Sequence, residues 1–128
     1  MTREFPRPDV LPRPIGAIAR YAQLIGPEAA LKLAEARGGT IIYVPHPPVD
    51  EANVLSGVIG IEATAKLAEA FPGNQLKIPV GREWRAVVYR MAGLPVDRVA
   101  LTLGCDRGTV YRILRDQDIA ARQMVLPI

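Results

Sequence analysis

The chain has 128 residues, 49% of them hydrophobic, and a formal net charge of +3 at pH 7. That length suits one domain or two small ones with a real core, and without an apolar run of 18 or more residues no segment reads as a membrane-spanning helix. The charged start without an apolar stretch behind it does not read as a secretory signal, and a lone Cys105 allows no internal disulfide, so a cytoplasmic setting is expected.

Residues 1–14 carry Pro6, Pro8, Pro12 and Pro14, which exclude regular structure and predict an extended or disordered arm. A helix is expected from about Ile15 to Ile25. Gly26-Pro27-Glu28 restarts the chain, with proline at a first helical position and an acid in the first turn. The second helix runs to about Arg37, with Leu31, Leu33 and Ala34 facing inward, and Gly38-Gly39 stops it. "TIIYV" (residues 40–44) is β-branched and aromatic and predicts a strand, closed by Pro45, Pro47 and Pro48. The order then recurs: Asp50 as a helix cap, a helix through Ile59, a break at Gly60, a helix from Ile61 to Phe71, a Pro72-Gly73 turn and a short strand "QLKIP".

This recurrence is a repeat in the sequence itself. Residues 25–45 and 59–79, offset by 34, share 11 identities in 21 positions, among them Gly26/Gly60, Gly39/Gly73 and Pro45/Pro79. One helix–helix–strand unit cannot bury its apolar faces alone, whereas two can cover each other. The expected fold is therefore mainly α: a pseudo-twofold four-helix bundle with a two-stranded antiparallel ribbon lying on it, because an isolated ribbon is marginal in water. The expected domains are 1–14 (arm), 15–79 (duplicated unit) and 80–128.

Charge singles out the last segment. Residues 1–80 hold eight Lys/Arg and eight acids, while residues 81–128 hold eight Arg against five acids, so the whole excess is there and is all arginine. Arginine offers a rigid two-pronged donor for phosphate and guanine. Within this segment a helix is expected over Arg82 to Met91, with Trp84, Val87, Val88 and Met91 as core.

"VDRVALTLGCDRGTVYRILR", Val96 to Arg115, then has the pattern of a helix-turn-helix. Val99 and Leu103 bury the first helix, Ala100 permits a close crossing, Gly104 supplies a positive-φ turn, and Cys105 fills a small apolar slot. Asp106 caps the second helix, in which Val110 and Ile113 face inward. The second helix, residues 107–116, would enter the major groove by its N-terminal half. Arg107 and Arg112 are the candidates for guanine O6/N7, Gly108 for close backbone approach, and Tyr111 for a thymine methyl or a phosphate. Arg98, Thr109 and Arg115 are the candidates for phosphate, which positions the protein without specifying sequence. The apolar tail "MVLPI" reads as a strap over this domain.

The order of these motifs resembles the Mor transcription activator family of Mu-like phages. The resemblance rests on "LAEARGGTIIYVP" or its second copy, on "VYRMAG" and on "VALTLGCDRGTVYRIL". It implies a dimer core of helices and a ribbon ahead of a helix-turn-helix, and activation of transcription from phage promoters. The chain departs from the family in carrying the dimerisation unit twice and the reading motif once. The expectation that follows is a monomer with an internal pseudodimer and a single head in a bacterial, nucleoid-associated setting; a homodimer is the alternative. The expected partner is double-stranded DNA, with RNA polymerase or another regulator as a further candidate.

Two other function classes bear on the sequence. An enzyme needs convergent reactive groups, and this sequence offers one His, His46, between prolines, the single Cys105, no metal-ligand spacing and no glycine-rich phosphate loop. No catalytic residue, cofactor or metal is therefore expected. A phage DNA-recognition or packaging subunit, or a helix-turn-helix adaptor that binds protein, is the alternative function.

Overall fold

The structure is a computed structural model and describes the backbone of residues 5–125 and the side chains of residues 5–118. Among these residues the chain is mainly helical, with seven helices and one two-stranded antiparallel sheet. The elements are α1 (Ile18–Ile25), α2 (Pro27–Arg37), β1 (Ile41–Tyr43), α3 (Val54–Ile59), α4 (Ile61–Ala70), β2 (Gln75–Lys77), α5 (Arg82–Met91), α6 (Val96–Leu103) and α7 (Arg107–Val125). They fall into two compact units. One comprises Arg13–Gly81, the other Met1–Pro12 together with Arg82–Ile128.

In the unit Arg13–Gly81, α1 packs on α2 and α3 on α4, and the pairs join through α1 against α4 and α2 against α3. Ile18, Ala30, Leu31, Leu33, Ala34, Leu67 and Ala68 form its fully buried centre. The helix–helix junctions are alike. Gly26 has φ 90° and ψ 154°, Gly60 has φ 89° and ψ 156°, and each donates its N–H at 2.9 Å to the carbonyl four residues back, that of Ala22 or Ser56. Only glycine adopts this backbone conformation without strain. Thr64 takes the place that Ala30 has in the first helix pair and is equally buried. Its hydroxyl donates to the Gly60 carbonyl at 2.8 Å, so the added polar atom is satisfied inside its own helix.

The ribbon pairs Ile41 with Lys77, Ile42 with Leu76 and Tyr43 with Gln75. Val44 N–H to Asn74 O and Ile78 N–H to Thr40 O, both 2.9 Å, continue it at its two ends. Ile42, Val44 and Ile78 turn into the core, and Ile41 and Tyr43 turn out. The alternation is that of a half-buried ribbon, so the ribbon takes its stability from the helices beneath it.

Several boundaries differ from the sequence reading. The first helix begins at Ile18, not Ile15, because residues 16 and 17 form a turn closed by Ala19 N–H on Gly16 O. Asp50 does not cap α3. Asn53 does, accepting from Leu55 N–H at 2.9 Å, while Asp50 closes the turn before it by accepting from Asn53 N–H at 3.1 Å. The third helix is accordingly only six residues long. Phe71 is the cap of α4 rather than its last residue.

In the second unit α5 packs on α6 and α7, and α6 packs on α7. Trp84, Ala86, Val88, Tyr89, Val99 and Val110 are fully buried. Residues 5–12, set apart on sequence as an arm, carry no helix or strand, yet Phe5 and Pro12 touch α5. The Phe5 ring stacks on Tyr89 with centroids 5.7 Å apart and planes 13° apart, and Trp84 Nε1–H donates to the Pro12 carbonyl at 3.0 Å. Arg85, one of the eight arginines of the basic segment, is buried. Its Nε–H donates to Tyr89 Oη at 2.9 Å, and its guanidinium lies 5.4 Å from the Phe5 centroid and 5.5 Å from that of Tyr89. Met91, expected in the core, is 55% exposed, because the helix ends there and turns its last side chain outward; Val87 is half-buried. The helix expected over residues 107–116 runs on to Val125, taking Met124 and Val125 into it. The rest of the expected strap, and the side chains of all of it, lie outside the described residues.

Candidate nucleic-acid interface

The candidate surface is built at the junction of α6 and α7. Val99, Ala100 and Leu103 bury one stripe of α6, at the i, i+1, i+4 spacing of a helix face. The helix closes at Gly104, which takes the left-handed conformation, φ 68° and ψ 37°. Cys105 N–H then reaches back to Ala100 O at 3.0 Å, which satisfies a carbonyl that the helix end leaves free. A Cβ on Gly104 would touch nothing within 4 Å, so glycine is required by the backbone angle and not by space. Cys105 is half-buried.

Asp106 starts α7. Its Oδ1 accepts the Thr109 N–H at 2.7 Å, one of the donors that the first turn cannot pair within the helix. Thr109 is half-buried, and its bonds to Asp106, first through the backbone and then through the side chain, hold the carboxyl below its ordinary value; the positive charge of Arg112 adds the smallest contribution in the same direction. Desolvation pushes the other way, by more than Arg112 adds but less than the Thr109 bonds.

From this start the side chains of α7 divide. Val110 and Ile113 are buried against the unit, with Leu114 and Gln117 half-buried beside them. Arg107, Gly108, Tyr111, Arg112 and Arg115 are all exposed. Their spacing of i, i+1, i+4, i+5 and i+8 places them on one continuous face. Tyr111 is 59% exposed, a large aromatic with its ring in solvent. A Cβ on Gly108 would meet only Asp106 Oδ1, at 3.4 Å, so folding does not demand glycine there.

Arg107 is linked to α6. Its Nη1 lies 3.3 Å from Asp97 Oδ1, with both side chains about two-thirds exposed, at 67% and 69%. An exposed pair of this kind contributes about 0–1 kcal/mol and can release its arginine to a competing anion. Arg115 Nε lies 4.0 Å from Asp116, a contact at the edge of ion pairing. Arg98 is exposed on α6. Arg82 and Arg90 are exposed on α5, and Arg90 donates to Leu94 O at 3.5 Å.

All the residues singled out on sequence thus lie on α6, the turn or the first half of α7. Sequence reasoning missed the stack of Phe5 on Arg85 and Tyr89 of α5. Its one local signal is the i, i+4 spacing of Arg85 and Tyr89, because the third member comes from 80 residues earlier. Among the described residues no helix is long and apolar enough to cross a membrane. No family model, no curated protein and no solved structure matches this chain.

Proposed function

We propose that the chain is a sequence-specific, double-stranded DNA-binding transcriptional regulator, an activator of phage, prophage or phage-derived genes, in which α6, the Gly104 turn and α7 are the helix-turn-helix. One observation carries the reading: the first half of α7 turns Arg107, Gly108, Tyr111, Arg112 and Arg115 to solvent on one face while Val110 and Ile113 anchor the other. A helix of this radius fits the major groove, where paired arginine donors distinguish guanine and a glycine removes the side chain that would hold the backbone away. Arg107 and Arg112 read bases, Tyr111 meets a thymine methyl or a phosphate, and Arg98, Thr109 and Arg115 grip the backbone.

The unit Arg13–Gly81 is, in this proposal, an internal pseudodimer of the Mor type, with two helix–helix–strand units in one chain. The matched Gly26 and Gly60 junctions support it, as does the packing of α1 on α4 and α2 on α3, since each pair is the other's counterpart under a twofold axis. One chain then carries one reading head.

Selection of bound sequences from a random DNA pool, followed by gel shifts, tests the function. The Arg107→Ala/Arg112→Ala double variant is expected to lose about a hundredfold or more in specific affinity, two base contacts at roughly 1–3 kcal/mol each, with an unchanged melting curve. Retained specific affinity, or no enrichment of any sequence by the wild-type chain, overturns the proposal; in the second case a protein-binding adaptor takes its place.

A further inference from the structure

The unit Arg13–Gly81 has an open cavity of about 830 Å³ between α1, β2 and the end of α4. Its wall includes Tyr21, Leu24, Phe71 and Leu76, each half-buried, so each shows apolar surface to the cavity. The Tyr21 ring is held against the strand by a long hydrogen bond, 3.5 Å, from its hydroxyl to the Lys77 carbonyl. Two cations stand in the lining, Arg20 and Lys77, both exposed, and no carboxylate lines it. Among the described residues neither cation forms an ion pair.

The equivalent place 34 residues away is different. A cavity of about 350 Å³ lies beside Arg37, Ile42, Tyr43, Val54 and Leu55. Val54 stands there where the larger cavity has Arg20, Tyr43 where it has Lys77, and Arg37 where it has Phe71. Two places with corresponding backbone have therefore diverged. One is small, with a charged side chain at the position of the aromatic floor. The other is wide and aromatic-floored, with both of its cations on α1 and β2.

Volume, lining and charge select a ligand class. Small-molecule sites run to roughly 300–1,000 Å³, with mostly apolar walls and a few polar groups that fix orientation. Two uncompensated cations beside an apolar wall favour an anionic head over a neutral or cationic one. We infer that this cavity is a binding site for a small apolar carboxylic acid, with the hydrocarbon body on Leu24, Phe71 and Leu76 and the carboxylate between Arg20 and Lys77. The inference does not rest on the DNA-binding proposal, and its test contains no DNA.

Decanoate serves as the probe, titrated calorimetrically into the full chain, with decyltrimethylammonium as its cationic match in length. One decanoate is expected to bind per chain, with amide NMR shifts centred on Leu24, Phe71 and Leu76. The Arg20→Gln/Lys77→Gln variant, altered only at exposed side chains, is expected to keep its circular dichroism melt and to bind decanoate about tenfold more weakly, the loss of charge-assisted contacts. Equal binding of decyltrimethylammonium, an unaffected double variant, shifts centred elsewhere, or no decanoate binding at millimolar concentration would each overturn the assignment. So would sedimentation showing that a second copy of the chain occupies the cavity.

Discussion

Ile42 stands directly across the ribbon from Leu76, the residue 34 positions later in the chain. That is the offset of the sequence repeat, so the centre of β1 faces its own counterpart. The flanking pairs, Ile41 with Lys77 and Tyr43 with Gln75, exchange partners about this centre, as the proposed internal pseudodimer requires. A shift of one residue in register would turn Ile42 and Val44 away from the core.

If one chain completes the proposed pseudodimer, it has no ribbon strand left to lend. Sedimentation equilibrium is expected to show a monomer, and DNA selection an asymmetric, unrepeated site. A stable dimer with a palindromic site would mean that the heads pair through some other surface.

The two junction glycines offer a matched stability test. Alanine at Gly26 or at Gly60 forces a Cβ into a backbone region reserved for glycine, and each change is expected to cost about 1–3 kcal/mol in chemical denaturation. Neither site has a neighbour within 4 Å of that Cβ, so the loss is conformational and should be of similar size at both. Gly57 is an internal control. It is exposed in the middle of α3 with open space around it, and Gly57→Ala should gain about 0.5–1 kcal/mol.

Phe5 belongs to the fold of the second unit. Phe5→Ala removes the ring on which Tyr89 and Arg85 stack and is expected to cost roughly 1–2 kcal/mol from the aromatic and cation–π contacts. Removing residues 1–12 should cost more, because Trp84 Nε1 then loses its acceptor. Tryptophan fluorescence should shift to the red in that truncation and not in Phe5→Ala.

Asp106 gives α7 a pH dependence of known sign. Its carboxyl is depressed in the folded chain, first by the Thr109 backbone bond, so its contribution is complete above the ordinary carboxylate value of 3.8 and is lost as pH falls through the lower folded value. Asp106→Ala should lower the melting temperature at pH 7 by a few degrees, and the gap to wild type should close in strong acid. Asp106→Asn, which still caps, should lie between the two.

Gly108 separates folding from DNA contact. Alanine there meets nothing closer than 3.4 Å and should raise helix stability by about 0.5–1 kcal/mol. In the proposed complex the same methyl group stands between backbone and bases, so gel shifts should show weaker specific binding by a more stable protein.

Much of this protein is written locally. Pro27 after Gly26, the β-branched run at 40–44 and the Gly104-Cys105-Asp106 turn each act through the backbone angles and donors of their immediate neighbours, and the main helix positions follow from them. The exposed face of α7 was legible for the same reason: helical spacing sorts Val110 and Ile113 from Arg107, Tyr111 and Arg112 without knowledge of what lies beyond. The misplaced cap at Asp50 shows how fine that reading is, since Asp50 and Asn53 are both good caps and the turn between them decides which one serves. What only the tertiary structure decided depends on distant partners. Arg85 looks like any surface cation until Phe5, 80 residues away in sequence, covers it. The width of the cavity beside Phe71 likewise depends on where α1 and β2 stand. A side chain's burial is a property of the elements packed around it, and no spacing within one helix records that.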